Sequence, residues 1–421
     1  MQLDRPPLRC RLAVIGAGPA GLMAAISAAR RGTDVLLIER EERYPKKLRI
    51  TGKGRCNLAK VCDAESFASD LRSGGQFMRS SINSFGSAEI MDFFEALGVP
   101  LKTERGGRVF PQSDRAADVA EALKAECARL GVRLLKARAR EILTDGKAVC
   151  AVRLAGGEEI LCEAALLATG GLSYPATGST GDGYKMAAAL GHAVKQPEPS
   201  LVPLECAGGD CAELQGLSLK NVRLEIRDGE KTLFSEQGEM LFTHFGISGP
   251  LVLSASMTLV GRRAAGALAS IDLKPALDGE TLDKRLLRDF SERQNRELKN
   301  SLDALLPQRL IPVIIRRSGI EPGRRINSLS RKERARLRET LKAFTLEITG
   351  TRPIDEAIVS AGGVSLKEIN PKTMESKLVN NLYFAGEIID ADGPTGGYNL
   401  MIAFATGRAA GEHCLKEALE K

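Results

Sequence analysis

Six residues constrain this chain more than any others. "GAGPAG" at 16–21 follows an apolar run at 12–15 and opens a stretch of small side chains lasting to Gly32. Glycine beside or inside a helix carries an entropy cost, so three at this spacing need a geometric reason. The pattern of strand, tight turn, helix and second strand supplies one. A strand at 12–15 breaks at Gly16, a helix runs from Pro19 towards Gly32 as its C-terminal cap, and a second strand at 35–38 ends at Glu39. In that geometry Gly16 makes the turn, Gly18 lets backbone approach a pyrophosphate, and Gly21 packs helix on sheet, with Ala17, Pro19 and Ala20 completing the turn. The helix N-terminus offers unpaired N–H groups to the phosphates. Glu39, with Arg40 beside it, falls where an acid accepts hydrogen bonds from both hydroxyls of an adenosine ribose, which disfavours a 2′-phosphate there. The same residues are apolar enough to imitate a signal-peptide core or a membrane span, but glycines and a proline interrupt them.

The motif alone suits NAD or FAD. Two later stretches favour FAD. "ALLATGG", 165–171, reads as a buried strand breaking at Ala168, Thr169 and Gly170, suited to returning the chain against the nucleotide. Close to the C-terminus, "GEIIDADGPTGGYNLMIAFATGRAAG" carries Gly386, Glu387 and Asp390 into a helix that opens on Gly396-Gly397 and is lined by Ala403, Ala405, Gly407, Ala409, Ala410 and Gly411.

At 421 residues the chain exceeds one ordinary core. Its 43% hydrophobic and 27% charged residues are those of a soluble globular protein and exclude a disordered one. Without Trp and with 4% aromatics it lacks stacking platforms for single strands. Nine cysteines, an odd number without C-x-x-C pairs, suit reduced thiols in a cytoplasm rather than a disulfide framework. The charge is concentrated. Residues 281–345 hold 17 Lys/Arg against 8 Asp/Glu, more than the whole +7 excess of the chain. A solvated Arg-rich pair of helices and a surface for an anionic partner both fit that segment.

The pattern predicts an α/β protein whose nucleotide domain is left and re-entered. Residues 1–195 form its first part and 353–421 its second. Between them lies an insertion, 196–352, with a β part at about 196–277 and a basic helical part at about 278–345. Within the first part, Ser113-Asp114 is expected to cap a helix through Gly131 that buries Ala117, Ala120, Leu123, Ala125, Cys127 and Leu130. "VRLLKARAREIL" reads as one strand, and a short helix in 179–192 takes Ser179 or Asp182 as its cap.

"GAGPAG" with Glu39, "TGKGRCN" at 51–57, "ATGG" at 168–171, "THFGISGP" at 243–250 and "GPTGGYN" at 393–399 together resemble the HI0933/YhiN-type FAD-dependent oxidoreductases, a family that includes 3-dehydro-bile-acid Δ4,6-reductases and is related to the fumarate reductase flavoproteins. The matches run through the whole chain in order. The resemblance implies a Rossmann-like FAD-binding domain of the glutathione-reductase/fumarate-reductase type, interrupted by a domain that roofs the flavin. It sets Thr51, Gly52, Gly54, Arg55, Cys56 and Asn57 against FAD, with Arg55 as a neutraliser of pyrophosphate. It also lets Glu387 or Asp390 bond the ribityl chain, and brings Gly396, Gly397, Tyr398 and Asn399 to the pyrimidine edge of the flavin, where side chains would hold the ring away.

A redox disulfide between Cys56 and Cys62 and a structural or cofactor-facing thiol at Cys56 are both compatible with the spacing. His244 offers a proton donor suited to ene-reduction, and a structural histidine is the competing reading. Tyr398 is a second donor candidate, with packing as its alternative. Glu387, Asp390 and Asp392 lack the partners of a metal site, and no metal is expected. The leading expectation is an FAD oxidoreductase that takes hydride from transiently docked NAD(P)H and delivers it to an enone-like or other unsaturated small molecule, with no membrane partner. The alternative is a flavin-binding protein that contacts RNA or another polyanion through 281–345.

Overall fold

The apolar runs flanking "GAGPAG" become adjacent parallel strands. Arg9–Ile15 pairs with Val35–Glu39 on one side and Glu159–Leu167 on the other. Arg133–Lys136 extends the sheet beyond Val35–Glu39. Leu382–Phe384 returns from the far end of the chain to pair in parallel with the second half of Glu159–Leu167. The first half of that strand pairs antiparallel with Ala148–Leu154, which in turn pairs with Ala139–Asp145. Leu12 to Ile15 and Val35 to Ile38 are all buried, as strands covered on both faces must be. "VRLLKARAREIL" is therefore two strands, not one. Ala137 N–H donates to the Glu39 carbonyl at 3.0 Å, which turns the chain between them.

The computed structural model describes residues 8–415, in two units with separate cores. One runs to residue 200 and resumes at 354; the other is 201–353.

In the first unit, helix Pro19–Ala29 starts on a proline that has no N–H to lose. Its partner is the terminal helix, Tyr398–His413. Gly407 lies against the Ala20 carbonyl and Gly411 against the Ala24 carbonyl, where any Cβ would collide. The leanness of the terminal helix follows, because two helix backbones cross there with no side chain between them. Gly397 has a related reason. Its φ is +112° and an added Cβ would strike the Ala59 backbone, so chain crossing requires this glycine whatever lies near the flavin edge. Gly396 differs, since its nearest neighbour would be the Tyr398 ring at 3.8 Å.

Two helix starts differ from expectation. The helix at 113–131 is Ala116–Arg129 with Arg115 at its N-cap, because Asp114 takes positive φ and turns its carboxylate to Arg55 and Lys102. The next is Asp182–Ala189, capped by left-handed Gly181 rather than by Ser179 or Asp182. On Ala116–Arg129 the buried face includes Glu126 while Ala125 is exposed. Hydrogen bonds from Arg129 and Arg30 hold the Glu126 carboxyl down at about 2. Paired this way, a carboxylate tolerates a buried position.

Val194–Ser200 pairs antiparallel with Val359–Val364, so residues 196–200, expected to open the insertion, belong to the nucleotide unit. The second unit is a closed barrel in the order Leu204–Cys206, Gly246–Ser248, Lys231–Thr243, Ser218–Asp228, Leu268–Asp272, Phe344–Thr351. Helices Gly279–Ser291, Leu310–Arg317 and Arg331–Lys342 bury Leu282, Leu286, Phe290, Ile314, Leu337 and Leu341 in its core. Much of their basic charge is paired: Arg285 with Asp289, Arg334 with Asp283, Arg293 with Asp303, and Arg316 and Arg317 with Asp210. No helix among the described residues is long and apolar enough to cross a membrane.

His192 is buried at 3% exposure, with Nε2 2.9 Å from Ser376 Oγ and Nδ1 3.2 Å from Glu368. Ser376 Oγ also accepts from the N–H groups of Leu378 and Val379, so the trio ties a loop rather than presenting a nucleophile. Burial holds the imidazole below its ordinary value, against the opposing pull of Glu368.

Two predictions follow from this packing. Gly407→Val forces the crossing helices apart and lowers unfolding stability by about 1–3 kcal/mol or more in urea titrations; an unchanged midpoint contradicts the crossing. Because the folded His192 is harder to protonate than the unfolded one, its contribution is complete above about pH 6.5 and is lost as pH falls below that. Melting temperature should therefore decline from pH 7 to pH 5, and His192→Gln should flatten that slope.

Candidate active site

The glycine turn is held by the ends of three strands. Gly16 N–H donates to the Ile38 carbonyl at 2.9 Å, and Ala168 N–H donates to Ile15 at 2.9 Å. Gly16 has φ +104°, and a Cβ on it would lie 2.6 Å from the Ala168 carbonyl. "GAGPAG" and "ATGG" are thus brought face to face. Gly21 packs on Gly16 so closely that no side chain fits, as its assigned role in helix–sheet packing demands. Gly18 is the exception. A Cβ there meets only the Ala168 carbonyl, at 3.9 Å, so the protein itself does not require glycine at this position. A ligand that must approach the backbone does.

Glu39 turns its carboxylate onto this motif, accepting from Ala17 N–H at 2.7 Å and Glu41 N–H at 2.8 Å. Each carboxylate oxygen retains acceptor capacity for a ribose hydroxyl. Arg40 turns away from the motif. It donates to Gly178 O at 2.7 Å, Thr180 Oγ1 at 3.0 Å and Asp182 at 3.2 Å, and so fastens the 178–182 loop.

"TGKGRCN" forms a tight loop through the short turn Thr51–Gly54, with Gly52, Lys53 and Gly54 all at positive φ. A non-glycine residue held left-handed costs about 1–2 kcal/mol, so Lys53 marks local strain. Arg55 is not left to neutralise a pyrophosphate. Glu104 and Asp114 bind its guanidinium, which stacks 4.1 Å from the Phe110 ring centroid. Thr51 Oγ1 donates to the Leu48 carbonyl at 2.6 Å. Cys56 is wholly buried, and that burial pushes its thiol up to about 12. Cys62 is likewise a free thiol, half-buried.

In the C-terminal segment, Gly386 sits against Ala20, whose methyl would lie 2.8 Å from an added Cβ, and its N–H donates to Thr406 Oγ1 at 2.9 Å. Glu387 is fixed by Lys47 at 2.5 Å, Ser173 Oγ at 2.8 Å and Ser360 N–H at 2.8 Å. Asp392, at 1% exposure, takes a bidentate bond from Arg72 and one from Ser200 at 2.9 Å. Asn399 ties its own loop, accepting from Gly393 N–H at 3.0 Å and donating to Gly393 O at 2.8 Å. Tyr398 donates to Asp70 at 2.6 Å and stacks on Phe67, so packing prevails over proton donation. Lys47, Arg72, Ser173 and Ser360 escaped sequence reading; they lie outside the glycine motifs and meet the acids only through folding.

Among the described residues of this unit, three buried acceptors have no hydrogen-bond partner: Asn57 Oδ1, Thr169 Oγ1 and Asp390 Oδ1, the last of which lies 3.7 Å from the Arg72 guanidinium as an ion pair. An unpaired buried polar group costs about 1–3 kcal/mol, and such groups call for a ligand, an ion or water. All three belong to segments expected to line FAD. Together with the open approach at Gly18, they fit a polar, hydroxyl-bearing dinucleotide. In the barrel unit, His244 is exposed on the turn between Lys231–Thr243 and Gly246–Ser248, its ring edge-on to Phe245. Thr243 Oγ1 beside it is buried without a partner.

The profile of the HI0933-like protein Rossmann domain matches residues 10–413. The chain belongs to that family. It is 32% identical over 406 residues to a 3-dehydro-bile acid delta(4,6)-reductase of Clostridium scindens, covering 95% of this chain and 98% of the relative. It is also 32% identical over 400 residues to a ribosomal RNA dihydrouridine synthase of Escherichia coli, covering 95% and 96%. Among solved structures, 3-ketosteroid delta1-dehydrogenase of Sterolibacterium denitrificans superposes with TM-score 0.55 at 11% identity, over 96% of this chain and 99% of that one. The 3-ketosteroid-delta4-(5alpha)-dehydrogenase of Rhodococcus jostii RHA1 gives TM-score 0.52 at 16% identity, over 99% of each chain. At such identities the structural likeness concerns fold. The nucleotide unit is a Rossmann-type FAD-binding domain, and the chain has the character of an FAD-dependent oxidoreductase.

Gly18→Ala separates ligand from scaffold. The backbone at Gly18 (φ −73°, ψ −179°) accepts alanine, so stability should change by no more than about 1 kcal/mol. FAD retained after desalting, read by visible absorbance, should fall about ten-fold or more because the methyl occupies the pyrophosphate approach. Full retention contradicts the site.

Proposed function

We propose that this protein reduces a carbon–carbon double bond conjugated to a carbonyl, with NAD(P)H as the electron donor. The observation that carries the reading is a dinucleotide cradle whose unpaired acceptors await a ligand, in a chain related over nearly its full length to two reductive enzymes. Their names denote one chemistry. A 3-keto-4,6-diene and the uracil C5=C6 bond are both alkenes polarised by a carbonyl.

Bound FAD supplies a two-electron carrier between nicotinamide and substrate. The protein's part is to hold and polarise. In this reading the glycine turn and Glu39 would hold the adenosine diphosphate end, and Asn57 and Thr169 would accept hydrogen bonds from the cofactor's polar groups. The first amides of Tyr398–His413 lack intrahelical acceptors and favour negative charge at that helix end. His244 is the proton donor in this reading, since reduction of a conjugated bond leaves an enolate that must be protonated.

The expected substrate is a small enone. A uridine within RNA is the second reading, favoured by the name of the Escherichia coli relative and by the basic segment, where Arg296, Arg325, Arg331 and Lys332 are exposed. RNA contact through these residues predicts binding that weakens steeply with salt.

Anaerobic stopped-flow absorbance tests the proposal. NADH or NADPH should bleach the flavin, and a 3-keto-4-ene steroid or unmodified ribosomal RNA should restore its colour. His244→Gln should slow the restoring step about 100-fold while leaving bleaching intact. Failure of both nicotinamides overturns the donor; failure of every conjugated carbonyl to restore colour overturns the reaction.

A further inference from the structure

The crossing with Pro19–Ala29 accounts for Gly407 and Gly411 on the terminal helix, but not for the small side chains of Ala405 and Ala409. Those two stand one turn apart on Tyr398–His413 and line a cleft against the helix Gly75–Ser84. Ser80, Ser81 and Ser84 form the opposite wall, which Phe85 and Lys372 complete. The cleft measures about 180 Å³, several times the roughly 30 Å³ that one water occupies in the liquid. None of the residues lining it belongs to the glycine turn, the 51–57 loop or the 386–399 segment. Ala405 and Ala409 follow Tyr398 by 7 and 11 residues, about 10 and 16 Å along the helix axis.

Arg408 sets the chemistry of this cleft. Its guanidinium stacks on the Phe85 ring, 4.4 Å from the centroid, and its Nε donates to Glu412 at 2.6 Å. The two contacts fix the plane of the group and leave both terminal nitrogens without a protein acceptor among the described residues. A planar guanidinium edge with unused N–H groups is the fork that binds carboxylate oxygens in pairs. Lys372 adds a positive charge that no acid pairs among the described residues. Its loop is fixed where Ser81 Oγ donates to the Pro371 carbonyl at 3.5 Å and Lys372 N–H donates to Asn370 Oδ1 at 3.0 Å. Glu412 offsets one cation, so Lys372, Arg408 and Glu412 together leave one positive charge.

From the space, the oriented guanidinium and that single charge, we infer that this cleft is a binding site for a small monocarboxylate. Its oxygens lie on Arg408 and Lys372 and its carbon chain over Ala405, Ala409 and Phe85.

Both helices end beside the cleft, and cations there also offset the negative ends of the two helix dipoles. That service needs charge alone. It calls neither for alanine at 405 and 409 nor for a guanidinium held flat on an aromatic ring. Lysine in place of Arg408 separates the two roles, because it keeps the charge and loses the fork.

Saturation-transfer NMR on the FAD-loaded, full-length protein tests the site, with sodium butyrate as the probe at constant ionic strength. Butyrate should bind with a Kd of about 1 mM, an ordinary value for a ligand of so few atoms. Butanol, which has the same carbon chain and no charge, should give no transfer at that concentration. Arg408→Lys, checked for folding by its melting curve, should raise the Kd about ten-fold. Ser84→Asp, an exposed change that sets an acid on the opposite wall, should weaken binding about as much and serves if Arg408→Lys does not fold. Absence of transfer to butyrate at about 50 mM overturns the site. So does a Kd that the folded variant leaves unchanged, which places the probe elsewhere or reduces Arg408 to a charge. Inorganic phosphate that displaces butyrate completely at equal concentration overturns the ligand class.

Discussion

The nucleotide unit depends on one crossing of two helices that are nearly bare where they meet. Helix Pro19–Ala29 comes from the start of the chain and Tyr398–His413 from its end, and glycine meets backbone carbonyl at both Gly407–Ala20 and Gly411–Ala24. A separation set by backbone rather than by side chains has little freedom to drift. It fixes the N-termini of both helices from one contact. Leu382–Phe384 performs the same joining in the sheet, where it completes the strand Glu159–Leu167 that starts against an antiparallel meander.

Charge in this unit is largely settled within the protein. Glu387 belongs to Lys47, Asp392 to Arg72, Arg55 to Glu104 and Asp114, and Glu126 to Arg30 and Arg129. That economy makes the exceptions informative. Among the described residues of this unit, the buried side-chain oxygens of Asn57 and Thr169 that have neither a hydrogen bond nor an ion pair stand out as positions for a ligand. Unmet hydrogen bonding thus picks out the site more selectively than charge does.

Much of the architecture was legible because its signals are local. Gly16, Gly18 and Gly21 between two apolar runs specify a strand–turn–helix whatever follows, and the low bulk of 403–411 already implies a close helix contact. Where sequence reading failed, long-range pairing had decided the outcome. The Pro-rich stretch from residue 196 reads as the start of an insertion until pairing with Val359–Val364 draws its first five residues into the nucleotide unit. Glu126 breaks the helical pattern of burial because Arg30 lies 96 residues away and meets it only in the fold. Arg55 appeared available for a phosphate because nothing near it in sequence announces Glu104 or Asp114 as its partners.

By itself, the sequence determined the nucleotide-binding motif, the return of the chain to the same domain and the small-residue terminal helix, since each rests on backbone conformation or side-chain size at neighbouring positions. Only the tertiary structure decided which cations hold the acids, which acceptors are left without a hydrogen bond, and that the inserted strands close into a barrel. Those outcomes depend on distances between residues far apart in the chain, of which composition and periodicity carry no record.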